Sequence, residues 1–253
     1  MINWIDIKKQ LIDFLQDEVK KSGLNKVTVG LSGGLDSAVV AVLCKEAFGD
    51  NLNCVLMPSQ FSSQSSSDDA VELCEKFDIK YETISIEPMV NAFINNMDED
   101  KLRIGNFSAR MRMSVLYDVS SRERSLVVGT SNKSELLLGY GTIFGDIACA
   151  INPLGEIYKS DEFEFAKALG VTDAIVNKAP SADLWEDQSD ENELGYTYKQ
   201  MDDVFKPMVE ENKSKDELLA LGFKEELIDM LTYRIKANAF KGKLPTIANI
   251  KWS

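Results

Sequence analysis

The sequence predicts an α/β protein in which a parallel sheet carries helices on both faces and is followed by a mainly helical C-terminal portion. Three observations predict it. Short apolar or β-branched runs recur at 27–31, 52–57, 80–86 and 125–129 with helical stretches between them, the alternation of strand–helix–strand crossovers. The run at 27–31 passes directly into Ser32-Gly33-Gly34-Leu35-Asp36-Ser37, a glycine turn before a small-residue helix. Beyond about residue 160 the pattern becomes helix upon helix, with no convincing strand after Tyr158. A length of 253 residues suits one such domain over 1–253, its part from about 160 to 253 mainly helical.

Met1 to Asp6 open an amphipathic helix without the basic region and apolar core of a secretory signal, and no apolar run approaches a membrane span. A cytoplasmic protein with no membrane partner is expected. Val27, Val29 and Leu31 alternate as a strand does, and Ala38 to Leu43 form a continuously apolar, buried helix. Asp68 to Asp78 and Asn106 to Arg122 are the clearest connecting helices. In parallel sheets ligands sit beyond the carboxyl ends of strands, so Ser32–Ser37, Pro58–Ser67 and Thr130–Glu135 should converge. That placement makes the serine-rich stretch 58–67 a nucleotide-contacting loop. Lys178 to Tyr198 hold Pro180, Trp185 and the acidic run 186–191, the composition of a solvated or mobile loop.

A net charge of −13 argues against a nucleic-acid backbone as the main partner, since such binding needs a basic surface. Cys44, Cys54, Cys74 and Cys149 show no C-x-x-C spacing and read as small core residues in a reducing compartment. The absence of histidine excludes every His-dependent triad, shuttle or zinc site. Chemistry must come from carboxylates, lysines, arginines and metal.

The loop Gly30 to Ser37 carries that chemistry. Gly33 and Gly34 let backbone approach an anion without an intervening Cβ, and the free N–H groups of the following helix point at it. Asp36 would repel a phosphate unless a cation lies between them, and Mg2+ held by a carboxylate and phosphate oxygens supplies one. The lysine of a Walker A loop is missing, so the ordinary P-loop reading fails.

Ser32 to Ser37 resembles the pyrophosphate loop of the N-type ATP pyrophosphatases, a Rossmann-like superfamily of the adenine nucleotide alpha hydrolase type. From about residue 26 to 245 the chain is similar to one branch, the ammonia-dependent NAD synthetase family. The resemblance rests on Met57-Pro58-Ser59, Ala109-Arg110-Met111-Arg112-Met113, Gly129 to Glu135, Gly139-Tyr140, Gly145-Asp146, Asn152-Pro153-Leu154, Lys159-Ser160 and, most discriminating, Pro180-Ser181-Ala182-Asp183-Leu184-Trp185 continued by Gln188 to Glu191.

The resemblance implies amidation of deamido-NAD by ammonia, with ATP cleaved to AMP and pyrophosphate through an acyl adenylate. It implies a ligase with Mg2+ as cofactor, acting as a homodimer, with free ammonia as donor because no glutaminase domain fits in this length. It places ATP against Gly30, Leu31, Ser32, Gly33, Gly34, Leu35, Asp36, Ser37, Met57, Thr130, Lys159 and Ser181. The metal falls to Asp36 and Glu135, and deamido-NAD to Arg110, Asp146 and Lys241, with Arg112 a weaker candidate. Asp36, Asp146 and Lys159 are the catalytic candidates, Asp146 as the group that helps deprotonate ammonium. Three departures touch the deamido-NAD side: Ile143 stands where many members carry Lys, Ala150 where they carry Asp, and Phe240 where they carry His. Phe240 cannot repeat that histidine's hydrogen bonds. The rival readings are an enzyme that adenylates a tRNA base, against which the acidic charge counts, and a non-catalytic nucleotide-binding module.

Overall fold

A computed structural model of the chain describes residues 2–94, 100–181, 188–243 and 247–250. Four strands, β1 (Val27–Gly30), β2 (Leu52–Leu56), β3 (Tyr81–Thr83) and β4 (Leu126–Val128), form a parallel sheet in the order β3-β2-β1-β4. The register pairs Val27 with Leu52 on one side and with Leu126 on the other. The chain steps outward from β1 to β2 and β3, then crosses back to lay β4 on the opposite side of β1. Such a reversal leaves a crevice at the carboxyl ends of the strands.

Helix α1 (Trp4–Lys21) precedes the sheet, with the Asn3 side chain accepting the Asp6 N–H at its start. Helix α2 (Leu35–Phe48) follows β1 and is buried all round from Ala38 to Cys44, packed between the sheet, α1 and the later helix Lys159–Leu169. Burying an aliphatic side chain of this size stabilises by about 1.5–3 kcal/mol, so α2 anchors the core. Helix α3 (Gln64–Lys76) connects β2 to β3, and α4 (Glu87–Ile94) and α5 (Lys101–Glu123) connect β3 to β4. A separate apolar cluster, including Val55, Ile86, Val90, Val115 and Val119, packs α4 and α5 against β2.

After β4 come α6 (Lys133–Leu138), α7 (Lys159–Leu169), α8 (Asp173–Val176), α9 (Asp190–Leu194), α10 (Tyr198–Phe205), a π-helical turn at Lys206–Glu210, α11 (Lys215–Ala220) and α12 (Glu225–Asn238). Leu227, Ile228 and Leu231 of α12 are buried against Tyr198, Met201 and Phe205 of α10, with Met230 and Ile235 packed alongside. The apolar face of the last helix is therefore core.

The structure differs from the sequence reading at three places. Helix α3 starts at Gln64 rather than after residue 67, because the Ser63 hydroxyl caps the Ser66 N–H; only the first part of the serine-rich stretch is loop. Within the acidic run Asp190 is buried, accepting hydrogen bonds from Tyr140 (3.1 Å) and Tyr198 (3.3 Å). An isolated bridge joins Val128 to Ile151, a short extension of the sheet. Ala182 to Trp185 and Trp252 lie outside the described residues, while Trp4 stacks on Phe165. Cys44, Cys54 and Cys74 are buried and unpaired. No described helix is long and apolar enough to cross a membrane.

Candidate active site

The crevice is a cavity of about 670 Å³ at the carboxyl ends of β1, β2 and β4. The three loops expected to converge do so on its wall: Ser32 and Asp36 after β1, Pro58, Ser62 and Ser66 after β2, Thr130 and Glu135 after β4.

Gly33 explains the shape of the first loop. Its φ of +81° lies in the left-handed region, and any Cβ there would overlap the carbonyl of Ser66, bringing α3 hard against the turn. The chain then enters α2 through Gly34, while the Ser37 hydroxyl donates back to the Gly34 carbonyl at 3.0 Å and accepts the Ser32 N–H at 3.2 Å. These bonds hold the first-turn N–H groups open toward the cavity. Gly33→Ala should therefore cost about 3 kcal/mol through left-handed strain and overlap, read as a lowered denaturation midpoint with weakened nucleotide binding.

Asp36, at the start of α2, faces two partners. Asn132 donates to its Oδ1 at 2.7 Å, and the Lys159 ammonium pairs with its Oδ2. Asn132 is also the cap of α6: its side chain accepts the Glu135 N–H, and the Glu135 carboxylate accepts the Asn132 N–H at 3.1 Å. One capping box thus fixes both carboxylates. Lys159 is 3% exposed and forms a further ion pair, 3.2 Å, with the fully buried Glu162 one helical turn along α7.

Burial works against ionisation of Asp36, but the Lys159 charge and the hydrogen bonds from Lys159 and Asn132 hold its carboxyl below the ordinary value. Glu135 is pushed well above the usual range by desolvation and by the charge of Asp36. Glu162 is pushed up by the same two causes. Burial would lower Lys159, yet Asp36, Glu162 and Glu135 keep it well above its ordinary value, so it stays cationic. Three carboxyls crowd one ammonium, and a divalent ion there would favour their ionised forms.

The residues fit magnesium. Among the described residues no group of three His, Cys, Asp or Glu side chains comes together to cage a metal. Two half-buried carboxylates at the edge of a phosphate-sized cradle are what Mg2+ uses when phosphates and water complete its octahedron.

A second layer sets the helices that carry these groups. Asp202 of α10 is fully buried; its Oδ1 accepts the Ser134 hydroxyl at 2.6 Å and its Oδ2 the Ser160 N–H at 2.8 Å. Ser134 in turn accepts the Lys159 N–H at 2.9 Å. Asp202 therefore ties the starts of α6 and α7, and with them Glu135 and Lys159. Asp202→Ala should cost roughly 3 kcal/mol, because buried donors lose their acceptors; a denaturant midpoint checks this.

The deamido-NAD candidates divide. Asp146 and Lys241 line the cavity, and the Lys241 ammonium donates to the carbonyls of Gly139 (2.7 Å) and Gly141 (3.0 Å). The Asp146 carboxylate accepts the Thr142 N–H at 2.9 Å and packs against Gly141, and desolvation there raises it. Arg110 is not on the cavity wall and donates to the Ile143 carbonyl at 3.3 Å. Arg112 is on the wall, donating to the Met57 carbonyl at 3.1 Å and the Ser62 hydroxyl at 3.2 Å, so it braces the β2 loop. Of the ATP candidates, all but Gly33, buried behind the turn, line the cavity. Phe240 is exposed.

Sequence reasoning missed Asn132, Glu162, Lys178 and Asp202. The Asn-x-x-Glu spacing of 132 and 135 was a readable capping signal. Nothing local marked Asp202, whose partners lie on other helices, while Glu162 pairs with Lys159 three residues earlier on α7, a spacing ordinary on solvated helix faces.

The NAD synthase family model matches residues 7–245. The NH(3)-dependent NAD(+) synthetase of Wolinella succinogenes is 52% identical over 243 residues, 96% of this chain and 95% of that protein. The structure of NH3-dependent NAD synthetase from Campylobacter jejuni, in complex with nitrate, superposes with a TM-score of 0.84 at 42% identity, covering 98% of this chain and all of that one. NMN synthetase from Francisella tularensis gives 0.88 at 32% identity, covering 99% and 100%. A glycine turn, two carboxylates and a buried lysine at the strand ends thus occur in a chain that belongs to the NAD synthase family.

Proposed function

We propose that this chain joins ammonia to deamido-NAD at the expense of ATP, releasing NAD, AMP and pyrophosphate. The observation that carries the reading is the Asp36–Lys159–Glu135 constellation beside the Gly33–Gly34 turn, in a chain half identical to an NH(3)-dependent NAD(+) synthetase over nearly its full length.

A carboxylate is a poor electrophile, so amide formation needs an activated acyl group. An oxygen of the nicotinate carboxylate attacks the α-phosphorus as the bond to pyrophosphate breaks, giving an acyl adenylate. Ammonia then attacks the acyl carbon, AMP leaves, and the nitrogen sheds its surplus protons. In the first step positioning and charge neutralisation dominate. The backbone N–H groups from Ser32 to Ser37 cradle the departing phosphates. Lys159 leaves Asp36 and places its charge on them, Ser181 contacts them from the cavity rim, and Thr130 and Met57 contact the nucleotide. Asp36 and Glu135 would hold Mg2+, which neutralises phosphate charge. Asp146, with its raised carboxyl, accepts a proton from ammonium at the second step. Lys241, on the cavity wall, contacts deamido-NAD by exchanging a backbone carbonyl for it, and Arg110 acts from behind the wall by holding the Ile143 carbonyl. The assembly is a homodimer in the cytoplasm.

The test supplies ATP, Mg2+, ammonium and deamido-NAD and follows NAD and AMP by chromatography. Equal amounts of NAD and AMP are expected. AMP formed only with the mononucleotide acid that yields NMN would redirect the substrate, and AMP formed only with tRNA would overturn the reading. A sedimentation measurement checks the dimer.

A further inference from the structure

Among the described residues five cationic side chains reach the cavity wall: Arg112, Lys159, Lys178, Arg234 and Lys241. Lys241 is spent on two backbone carbonyls, and Arg112 holds the β2 loop. Lys159 stands at the inner end, against Asp36 and Glu162. Lys178 stands elsewhere, on the segment that leads to Ser181. Its ammonium donates to the Ser66 hydroxyl at 2.9 Å and pairs with Asp69 of α3 at 2.8 Å.

Ser66 links this lysine to the glycine turn, because the carbonyl of the same residue is what Gly33 packs against. Lys178 is therefore joined through one residue to the glycine turn, it lines the cavity, and its side chain is 30% exposed. A triphosphate whose inner phosphates face Lys159 leaves further negative charge in the same cavity, whose wall also carries Lys178. That charge grows as the bond to pyrophosphate breaks.

We propose that Lys178 is a second phosphate contact, which exchanges Asp69 for the outer phosphates of ATP and retains pyrophosphate until it leaves. The inference rests on the glycine turn being the phosphate cradle. A lysine suits the task because its ammonium is a compact charge on a flexible stem, able to swing from a carboxylate to a phosphate. Asp69 acts as the competitor: it parks Lys178 when the site is empty and repels the phosphates when it is full.

The experiment measures inhibition by inorganic pyrophosphate against ATP, with ammonium and deamido-NAD saturating, in Lys178→Met, Lys178→Arg and Asp69→Asn. Lys178→Met should raise the inhibition constant for pyrophosphate on the order of tenfold or more, through loss of a charged hydrogen bond, and should raise KM for ATP with it. Lys178→Arg should retain most of the affinity. Asp69→Asn should move the constant the other way, tightening pyrophosphate several-fold by removing the competing charge. A lysine that only pins α3 gives a different pattern: both variants lower the melting temperature and neither changes pyrophosphate inhibition. That result would overturn the inference. If Lys178→Met fails to fold, the direction of the Asp69→Asn shift decides. Should Asp36→Ala also leave pyrophosphate inhibition unchanged, the cradle reading itself fails, whereas a change there with none at Lys178 removes this inference alone.

Discussion

Asp36→Ala is expected to lose on the order of 10² to 10³ in turnover, the range seen when one preorganised electrostatic contact to a transferring group is removed. In the proposed reaction Asp36 would act through charge, holding the ion that offsets the phosphates, and in the structure it pairs with the Lys159 ammonium. Both duties vanish with the carboxylate. The fold should survive the change, because Lys159 keeps its ion pair with Glu162 and the Asn132–Glu135 capping box stands without Asp36. kcat at saturating ATP, measured beside the melting temperature, separates the two effects. Near-normal turnover would show that the metal is held elsewhere.

Lys159→Met should reverse the balance, with stability falling along with activity. The side chain is 3% exposed and its removal leaves Asp36 and Glu162 facing each other without a cation. Breaking a buried pair in this way typically costs about 3–5 kcal/mol, since the partner's charge stays buried and unpaired. The pH dependence identifies the cause. In the parent protein Asp36 is held below its ordinary value of 3.8, so the stabilisation from its pairing is present above that value and is lost as pH falls through the lowered native value. Methionine removes the charge that opposes burial, so that contribution should disappear from the acid limb. Urea titrations of both proteins across the acid range check it: parallel slopes below about pH 4 would contradict the pairing.

The strands, the loop after β1 and its two glycines were legible because each depends on local pattern: β-branched alternation, then residues free to adopt left-handed backbone, then small apolar residues for a helix buried on every side. Asp36, Glu135 and Lys159 were legible as a set only through resemblance, since a carboxylate at a helix start is ordinary in isolation. The serine-rich stretch misled because hydroxyl residues suit loops and caps equally, and Ser63 turns out to be a cap. The acidic run misled in part because charge counting along the chain does not see Tyr140 and Tyr198, which bury Asp190 from other parts of the fold. Asp202 was invisible for the same reason: a buried carboxylate is defined by its donors, and these sit on different helices. The apolar positions of α12 suited core and interface equally until the packing against α10 assigned them to the core.

Reversible adenylation of a bound carboxylate at the glycine turn is the step on which the proposed reaction depends. Exchange of labelled pyrophosphate into ATP, with Mg2+ present and ammonium withheld, measures that step alone. Label should enter ATP only when deamido-NAD is added, and Asp36→Ala should abolish it. Exchange without deamido-NAD, or none with it while NAD still forms on adding ammonium, would contradict the account.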